Sequence, residues 1–496
     1  MDRNAVILSC VVIYMAACIA IGLWAMTRTK TTRDFFMAGR NLGVAITGIA
    51  MFSSIMSGFG FVGGPGLVYR MGLSSFWILV STPFGFCMAF FLLAKRLRLL
   101  AELQESESLP DIAAARFGSE AVRFWTALAI LFGVIAYLAA QIKAMATVLQ
   151  DILARNELFG GESFVACIGI SCAVLVFYCV AGGIIASVYT DLFQGLVMLI
   201  AAVLIFFAAA NAVDGGFAEM AATIGNDDAE SIRPWGTLGI FGCLSWHLLF
   251  SLGVVGQPHV VTKMMMSREV GDARFTLPIT LIGYTLAALL WISIGLLMRT
   301  LVLQGAHDEL SGADRAAAQF LQHYAHPMLA GVVFAGLFAA IMSTADGFLN
   351  IGAAAVVHDI PRALTGKSLP HELRWARIAT VVLAVGAAAF AVFSPHDLIG
   401  QLGAFGWGVF ASAIVPVVGF GLNWKRATPL AATASIVASI AVNLVVVALQ
   451  LSGLAIPFGV AGGAIALLVS LLTFVTISLF STPQRIDEVV EEVMDV

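Results

Sequence analysis

The sequence predicts an all-α polytopic membrane protein with thirteen transmembrane helices, and three observations carry that reading. Of its 496 residues 60% are hydrophobic and only 11% charged, against about 25% charged in soluble domains. Its mean hydropathy is +0.96. The apolar residues also fall into successive runs long enough to cross about 30 Å of hydrocarbon, and the basic residues collect in alternate connections between them.

The predicted spans cover residues 4–26, 43–70, 74–94, 121–150, 164–182, 188–212, 237–261, 275–300, 328–355, 376–393, 398–422, 427–451 and 456–481. The first has only Arg3 before it and four basic residues, Arg28, Lys30, Arg33 and Arg40, after it. A cleaved signal has the reverse charge order and a shorter apolar core, so this is an uncleaved span with its amino end outside. With that orientation the cytoplasmic loops hold 19 of the 26 basic residues and the outer ones hold six, with Lys143 inside a span. The bias predicts the amino end outside and the carboxyl end in the cytoplasm, in the plasma (inner) membrane. One span too many or too few would invert it downstream.

Between spans, SLPDIAAARF at 108–117 reads as a short interfacial helix, with a serine ahead of Pro110. The segments 213–236 and 301–327 are the largest outer connections, the former acidic through Asp227, Asp228 and Glu230. The tail, residues 482–496, is acidic and amphipathic and is expected to fray. The seven cysteines all lie in apolar runs, which argues against a disulfide framework, and their spacing matches no zinc pattern. There is no Walker loop, dinucleotide fingerprint or His-Glu-x-x-His. An enzyme or primary pump therefore finds no support, and nothing points to nucleic acid. A channel, a carrier or a receptor remains.

Within the second span, MFSSIMSGFGFVGGPG (51–66) interrupts an apolar run with Gly58, Gly60, Gly63, Gly64 and Pro65. Helical bonding weakens there, and freed carbonyls at membrane depth survive only against protein or a cavity. The segment predicts a broken helix and a binding site, with close packing on small residues as the rival account.

Asp191 and Asp346 are the acidic residues inside or at the edge of spans, and such groups are functional by default. A helix cap or a partner for a loop arginine is the other reading of Asp191. Ser343 and Thr344 lie one turn before Asp346, with Ala340 a further turn back. The Ala340 carbonyl and the two hydroxyls share a helix face and can converge on a hard cation, unless the hydroxyls simply bond back to their own carbonyls. Lys143 in the fourth span has three placements open to it: snorkelling, pairing with a carboxylate, or meeting an anionic substrate. Trp246 and His247 read as packing residues.

The chain resembles the sodium:solute symporter family. The matching pieces are DFFMAGRNLG (34–43), GGPG (63–66), SLPDIAAARFG (108–118), YTDLFQG around Asp191, GQPH (256–259) and AAIMSTADGFL (339–349), in order along nearly the whole chain. The resemblance implies a five-plus-five inverted-repeat transporter fold, with repeats at 43–212 and 237–422, one extra amino-terminal helix and two extra carboxyl-terminal helices at 427–481. It implies sodium as coupling ion, held by carbonyls of Ser53 and Met56 and by Ala340, Ser343 and Thr344, with Asp191 and Asp346 on the ion path. Asp346 stands where some relatives have a serine of a second sodium site. The substrate-facing positions implied are Ser57, Gly58, Lys143, Phe250, Val254, Gln257 and Trp407. Ile55 replaces an acidic residue found in proline carriers, which weakens proline specificity.

The expected activity is uptake of a small organic solute, an amino acid or another carboxylate-bearing compound, by a monomer in membrane lipid. A proton-coupled carrier using Asp346 and Asp191, or a sugar or vitamin symporter of the same fold, is the alternative. A sensor or channel would ordinarily carry a large appended signalling domain, which this sequence does not show.

Overall fold

A computed structural model describes residues 3–153, 164–393, 399–454 and 456–496. Eleven helices among the described residues are long and apolar enough to cross a membrane, and Val44–Ile55 and Phe164–Phe177 are shorter apolar helices. Large apolar side chains face outward from the bundle, with Phe91, Phe393 and Phe480 at 84%, 86% and 87% exposure. In water such a surface would aggregate; in hydrocarbon it is the solvated face.

In chain order the principal helices are α1 (Arg3–Met26), α2 (Val44–Ile55), α3 (Gly64–Met71), α4 (Phe76–Ala89), α5 (Leu109–Phe117), α6 (Glu120–Leu153), α7 (Phe164–Ala210), α8 (Gly239–Val255), α9 (Pro258–Met265), α10 (Ala273–Leu303), α11 (Pro327–Ala354), α12 (Glu372–Phe393), α13 (Ile399–Ile414), α14 (Pro429–Leu451) and α15 (Gly462–Phe480). At the centre lies α11, packed against α1, α2, α6 and α7, with residues 333–350 all buried. Small side chains and hydroxyls along it let those neighbours approach. The last two helices, α14 and α15, pack chiefly on each other and on α13.

Two interruptions shape the bundle. Between α2 and the π-helical turn Phe59–Gly63 that leads into α3, Met56 leaves helical geometry at φ −77°, ψ 87°. Between α8 and α9, Gln257 does the same at φ −79°, ψ 105°. The first break is the one the glycines predict. The second was not anticipated, although Gly256 and Pro258 bracket it: the glycine tolerates the stop, and proline at the first turn of α9 needs no hydrogen-bonded N–H.

Within α7 two helices meet at Gly183, whose φ of 56° and ψ of −146° suit glycine. The position is crowded too, since a Cβ there would lie 2.5 Å from the Phe35 ring. The turn expected over residues 182–188 is thus a single-residue corner, and the following helix runs on from it.

The predicted interfacial helix is α5, and the Ser108 hydroxyl caps it by accepting the Asp111 N–H at 3.1 Å. The tail corrects expectation. Instead of fraying, Glu488–Met494 is helical with Val490, Val493 and Met494 buried. Lys425 Nζ donates to Glu491 at 3.0 Å and Asp495 at 2.9 Å, and Arg96 donates to the Met494 carbonyl at 3.1 Å. Apolar residues spaced to fall on one face gave this segment something to bury, and Lys425, outside the spans, supplied a counter-charge.

Candidate functional site

At the first break the chain's own backbone becomes a ligand set. Carbonyls of Ser53 and Ser54 accept hydroxyl protons from α11: Ser343 Oγ lies 2.9 Å from the Ser53 oxygen, and Thr344 Oγ1 lies 2.7 Å from the Ser54 oxygen. Both hydroxyls also approach the Ala340 carbonyl, at 3.1 and 3.2 Å. Each hydroxyl has one proton to give, so four acceptor contacts share two protons. The Ser53 hydroxyl beside them is buried with no hydrogen-bond partner. An all-oxygen cluster with surplus lone pairs suits a hard monovalent cation. Ser54 enters this cluster through a carbonyl that sequence reading left out, while Met56 lies at the break itself.

Asp191 is fully buried on α7 and pairs with Lys263 of α9, Nζ to Oδ2 at 2.8 Å. Lys263 also donates to Ser54 Oγ and, at 3.3 Å, to the Ala50 carbonyl. Sequence reading put Lys263 in a cytoplasmic loop, and the structure corrects it. The predicted span ends at residue 261, whereas the break at Gln257 restarts a helix that carries Lys263 into the core. Asp346, on α11, accepts from Ser187 Oγ at 2.8 Å and from Thr190 Oγ1 at 3.4 Å, both on α7. The two buried carboxylates therefore sit on facing helices.

A second group surrounds the α2–α3 break from the other side. The Gly58 N–H, exposed by the break, donates to Gln141 Oε1 of α6 at 2.7 Å. Ser57 Oγ lies 3.0 Å from the Tyr137 hydroxyl, one turn earlier on α6. Phe250 of α8 contacts Trp407 of α13 and Phe59, with ring centroids 4.9 and 6.3 Å apart. Gln257 Nε2 reaches the Gly253 carbonyl at 3.1 Å and the Trp407 carbonyl at 3.4 Å. The structure thus brings together Ser57, Gly58, Phe250, Gln257 and Trp407 around the breaks and adds Tyr137, Gln141 and Phe59.

Two expected residues lie elsewhere. Lys143 is buried, but it follows Gln141 by two residues, about 200° round the helix; it therefore does not share the face of Tyr137 and Gln141. Val254 packs over Gly85 of α4, where an added Cβ would meet it at 2.5 Å. The signal for the α6 pair was available in the sequence: Tyr137 and Gln141, four apart, are polar positions on one face of an apolar span.

From Lys263 a narrow cleft, also lined by Asn350, Ser108 and Asp359, runs toward the end of the bundle that carries the basic connections. A buried ionic cluster lies there. Ser108 Oγ donates to Asp359 at 2.5 Å, while Asp111 is paired with Arg123, with His358 Nε2 at 2.9 Å and with Arg362 at 3.5 Å. Burial pushes the Asp111 carboxyl up, but its hydrogen bond to His358 and the charges of His358 and Arg123 outweigh that and hold it well below the usual carboxylate range.

Paired discontinuous helices that set backbone oxygens and polar side chains at the middle of a membrane bundle are the architecture of secondary transporters. The chain belongs to the sodium:solute symporter family, whose profile matches residues 35–439. It is similar to a sodium/proline symporter of Salmonella typhimurium, at 29% identity over 86% of this chain and 84% of that one. A sodium/proline symporter of Staphylococcus aureus is 27% identical over 88% of this chain and 85% of its own. Among solved structures, a Na+-coupled sialic acid symporter in a substrate-bound outward-open state superposes with a TM-score of 0.77, covering 98% of this chain and all of that one at 21% identity. A nucleobase-cation-symport-1 family transporter gives 0.55 over 93% of this chain at 14% identity. The protein is a multi-pass membrane transporter of a sodium-coupled family and not an enzyme.

Proposed function

We propose that the protein imports a small carboxylate-bearing organic solute together with sodium, by alternating access. Sodium is held by the carbonyls of Ser53, Met56 and Ala340 with the hydroxyls of Ser343 and Thr344, joined by the Ser54 carbonyl. The observation that carries this reading is the convergence of two α11 hydroxyls on the carbonyls freed by the first break. Asp191 and Asp346 lie on the ion's path. The solute sits between Ser57, Gly58, Gln141 and Gln257, against Phe59, Phe250 and Trp407. A carboxylate is favoured because the Gln141 amide nitrogen is buried without a partner and is a donor only. Solutes named for the relatives, proline and sialic acid, also carry that group.

Ten of the thirteen spans then form two inverted five-helix repeats, 43–212 and 237–422, with the first span and the last two outside them, in a monomer. Matching backbone geometry at Met56 and Gln257 supports the pairing, and the basic loops support an inner-membrane orientation with the amino end out. Uptake into proteoliposomes of a panel of amino acids, short carboxylates, sugars and vitamins, each with a sodium or a potassium gradient, tests the reading. Sodium-driven accumulation of a carboxylate is the expected result. Uptake driven by acid without sodium and abolished in Asp346→Asn would replace it with proton coupling, a reading that the burial of Asp346 keeps in view.

A further inference from the structure

We propose that Lys263 is a tethered cation that competes with sodium and sets its affinity. This rests on the sodium reading of the α2–α11 oxygens given above. A lysine at 1% exposure is expensive to bury, and here it has three acceptors for its three N–H bonds: Asp191 Oδ2, Ser54 Oγ and the Ala50 carbonyl. That is itself a cation seat, and it shares a residue with the sodium cluster. Ser54 gives its hydroxyl to the ammonium's side while its carbonyl takes Thr344, and the same hydroxyl lies 3.3 Å from the Ser343 carbonyl. Two unit charges divided by one serine repel strongly in a medium of low dielectric.

Asp191 mediates the contest. Its Oδ2 holds the ammonium, whereas its Oδ1 is buried without a hydrogen-bond partner, as is the Ser53 hydroxyl. Acceptor capacity therefore remains for a second cation. When sodium arrives, Asp191 offsets two positive charges instead of one. When sodium departs, the ammonium remains to neutralise the carboxylate, so the empty carrier does not expose a bare buried charge. Sodium binds less tightly than the oxygen set alone would allow, and it leaves past Lys263 along the cleft toward Ser108 and Asp359.

The test is thermal stabilisation of the purified full-length protein by sodium chloride at constant ionic strength made up with potassium chloride, from which the half-saturating sodium concentration is read. Lys263→Met, which keeps the stem and removes the charge, lowers that concentration at least tenfold. Asp191→Asn raises it at least tenfold, and adding Lys263→Met to Asp191→Asn brings it back by at least tenfold, to within about threefold of wild type. The double variant buries no unpaired charge, so the comparison survives if Lys263→Met alone does not fold. A merely structural lysine would shift the melting temperature in potassium and leave the sodium concentration where it was, and that result in either background overturns the proposal. A wild type that does not distinguish sodium from potassium removes the sodium reading itself; a sodium-responsive wild type with unresponsive Lys263 variants removes only this one.

Discussion

Thr344 Oγ1 lies 2.7 Å from the Ser54 carbonyl, joining the central helix α11 to the first broken helix at the point where the backbone has lost its own donors. The bond connects residues 290 apart in the chain. It also places Thr344 within 3.2 Å of the Ala340 carbonyl, so the hydroxyl serves two helices at once.

Ser343→Ala with Thr344→Ala removes both hydroxyls and leaves three carbonyls without those partners. Sodium should then stabilise the protein with at least tenfold lower affinity, and sodium should no longer accelerate solute uptake. Uptake that keeps its wild-type sodium dependence would show that the cation sits elsewhere.

Gln141→Leu removes the acceptor of the Gly58 N–H and the amide donor offered to a carboxylate. Losing a buried hydrogen bond of this kind costs about 1–3 kcal/mol, so solute affinity should fall roughly fivefold to 150-fold. Gln141→Glu keeps an acceptor for Gly58 but repels an anionic solute, and should be the worse of the two for uptake. The comparison is read as KM against maximal rate in proteoliposomes, and equal behaviour of the two variants would remove Gln141 from the solute's surroundings.

Gly64 has the Trp291 ring where its side chain would be, with an added Cβ only 2.3 Å from a ring carbon. Gly64→Ala should therefore displace α3 from α10 and cost about 1–3 kcal/mol, as overpacking does. Combining it with Trp291→Leu should recover part of the lost melting temperature. If Gly64→Ala is as stable as wild type, the close packing of α3 on α10 is not required.

Asp111 holds Arg123, His358 and Arg362 together at the basic end of the bundle. Removing one partner of a buried ion pair costs about 3–5 kcal/mol, so Asp111→Asn should lower the melting temperature at neutral pH. Because the folded carboxyl is held below its unfolded value, its contribution is fully present above the ordinary carboxylate pKa of about 3.9 and is lost as pH falls through the folded value. The difference between wild type and variant should be constant from about pH 5 to 6 and narrow below the usual carboxylate range; at higher pH the proton on His358, which Asp111 helps to hold at 2.9 Å, enters the difference as well. A difference that did not narrow below about pH 4 would mean another group carries the effect.

Much of the site could be read from local pattern. That Ser343, Thr344 and Ala340 share one helix face follows from helical spacing, and the glycines of 58–64 announce the first break, because helix periodicity and glycine's weak helicity act over a few residues. Lys263 could not be read this way. It lies just beyond the predicted span end at 261 and looks like a loop lysine until Gln257 is known to stop one helix and Pro258 to start another. Lys143 shows the converse: a charge in an apolar span suggested a substrate contact, and the helix phase set by Tyr137 and Gln141 turned it to another side. The docking of the tail is not legible in its own segment because its partners, the Lys425 ammonium and the Arg96 guanidinium on the Met494 carbonyl, are far away in the chain.

Local pattern in the sequence established a helical membrane protein, which of its helices breaks first, and which hydroxyls share a helix face, since hydropathy, glycine content and helical phase are local properties; the transporter class came from the resemblance of its motifs. Tertiary structure alone decided that Asp191 faces Lys263, that Ser54 stands between an ammonium and an oxygen cluster, and that Gln141 receives Gly58. Those pairings depend on how separate helices cross, and in a membrane that is set by close packing and by the need of every buried polar group for a partner.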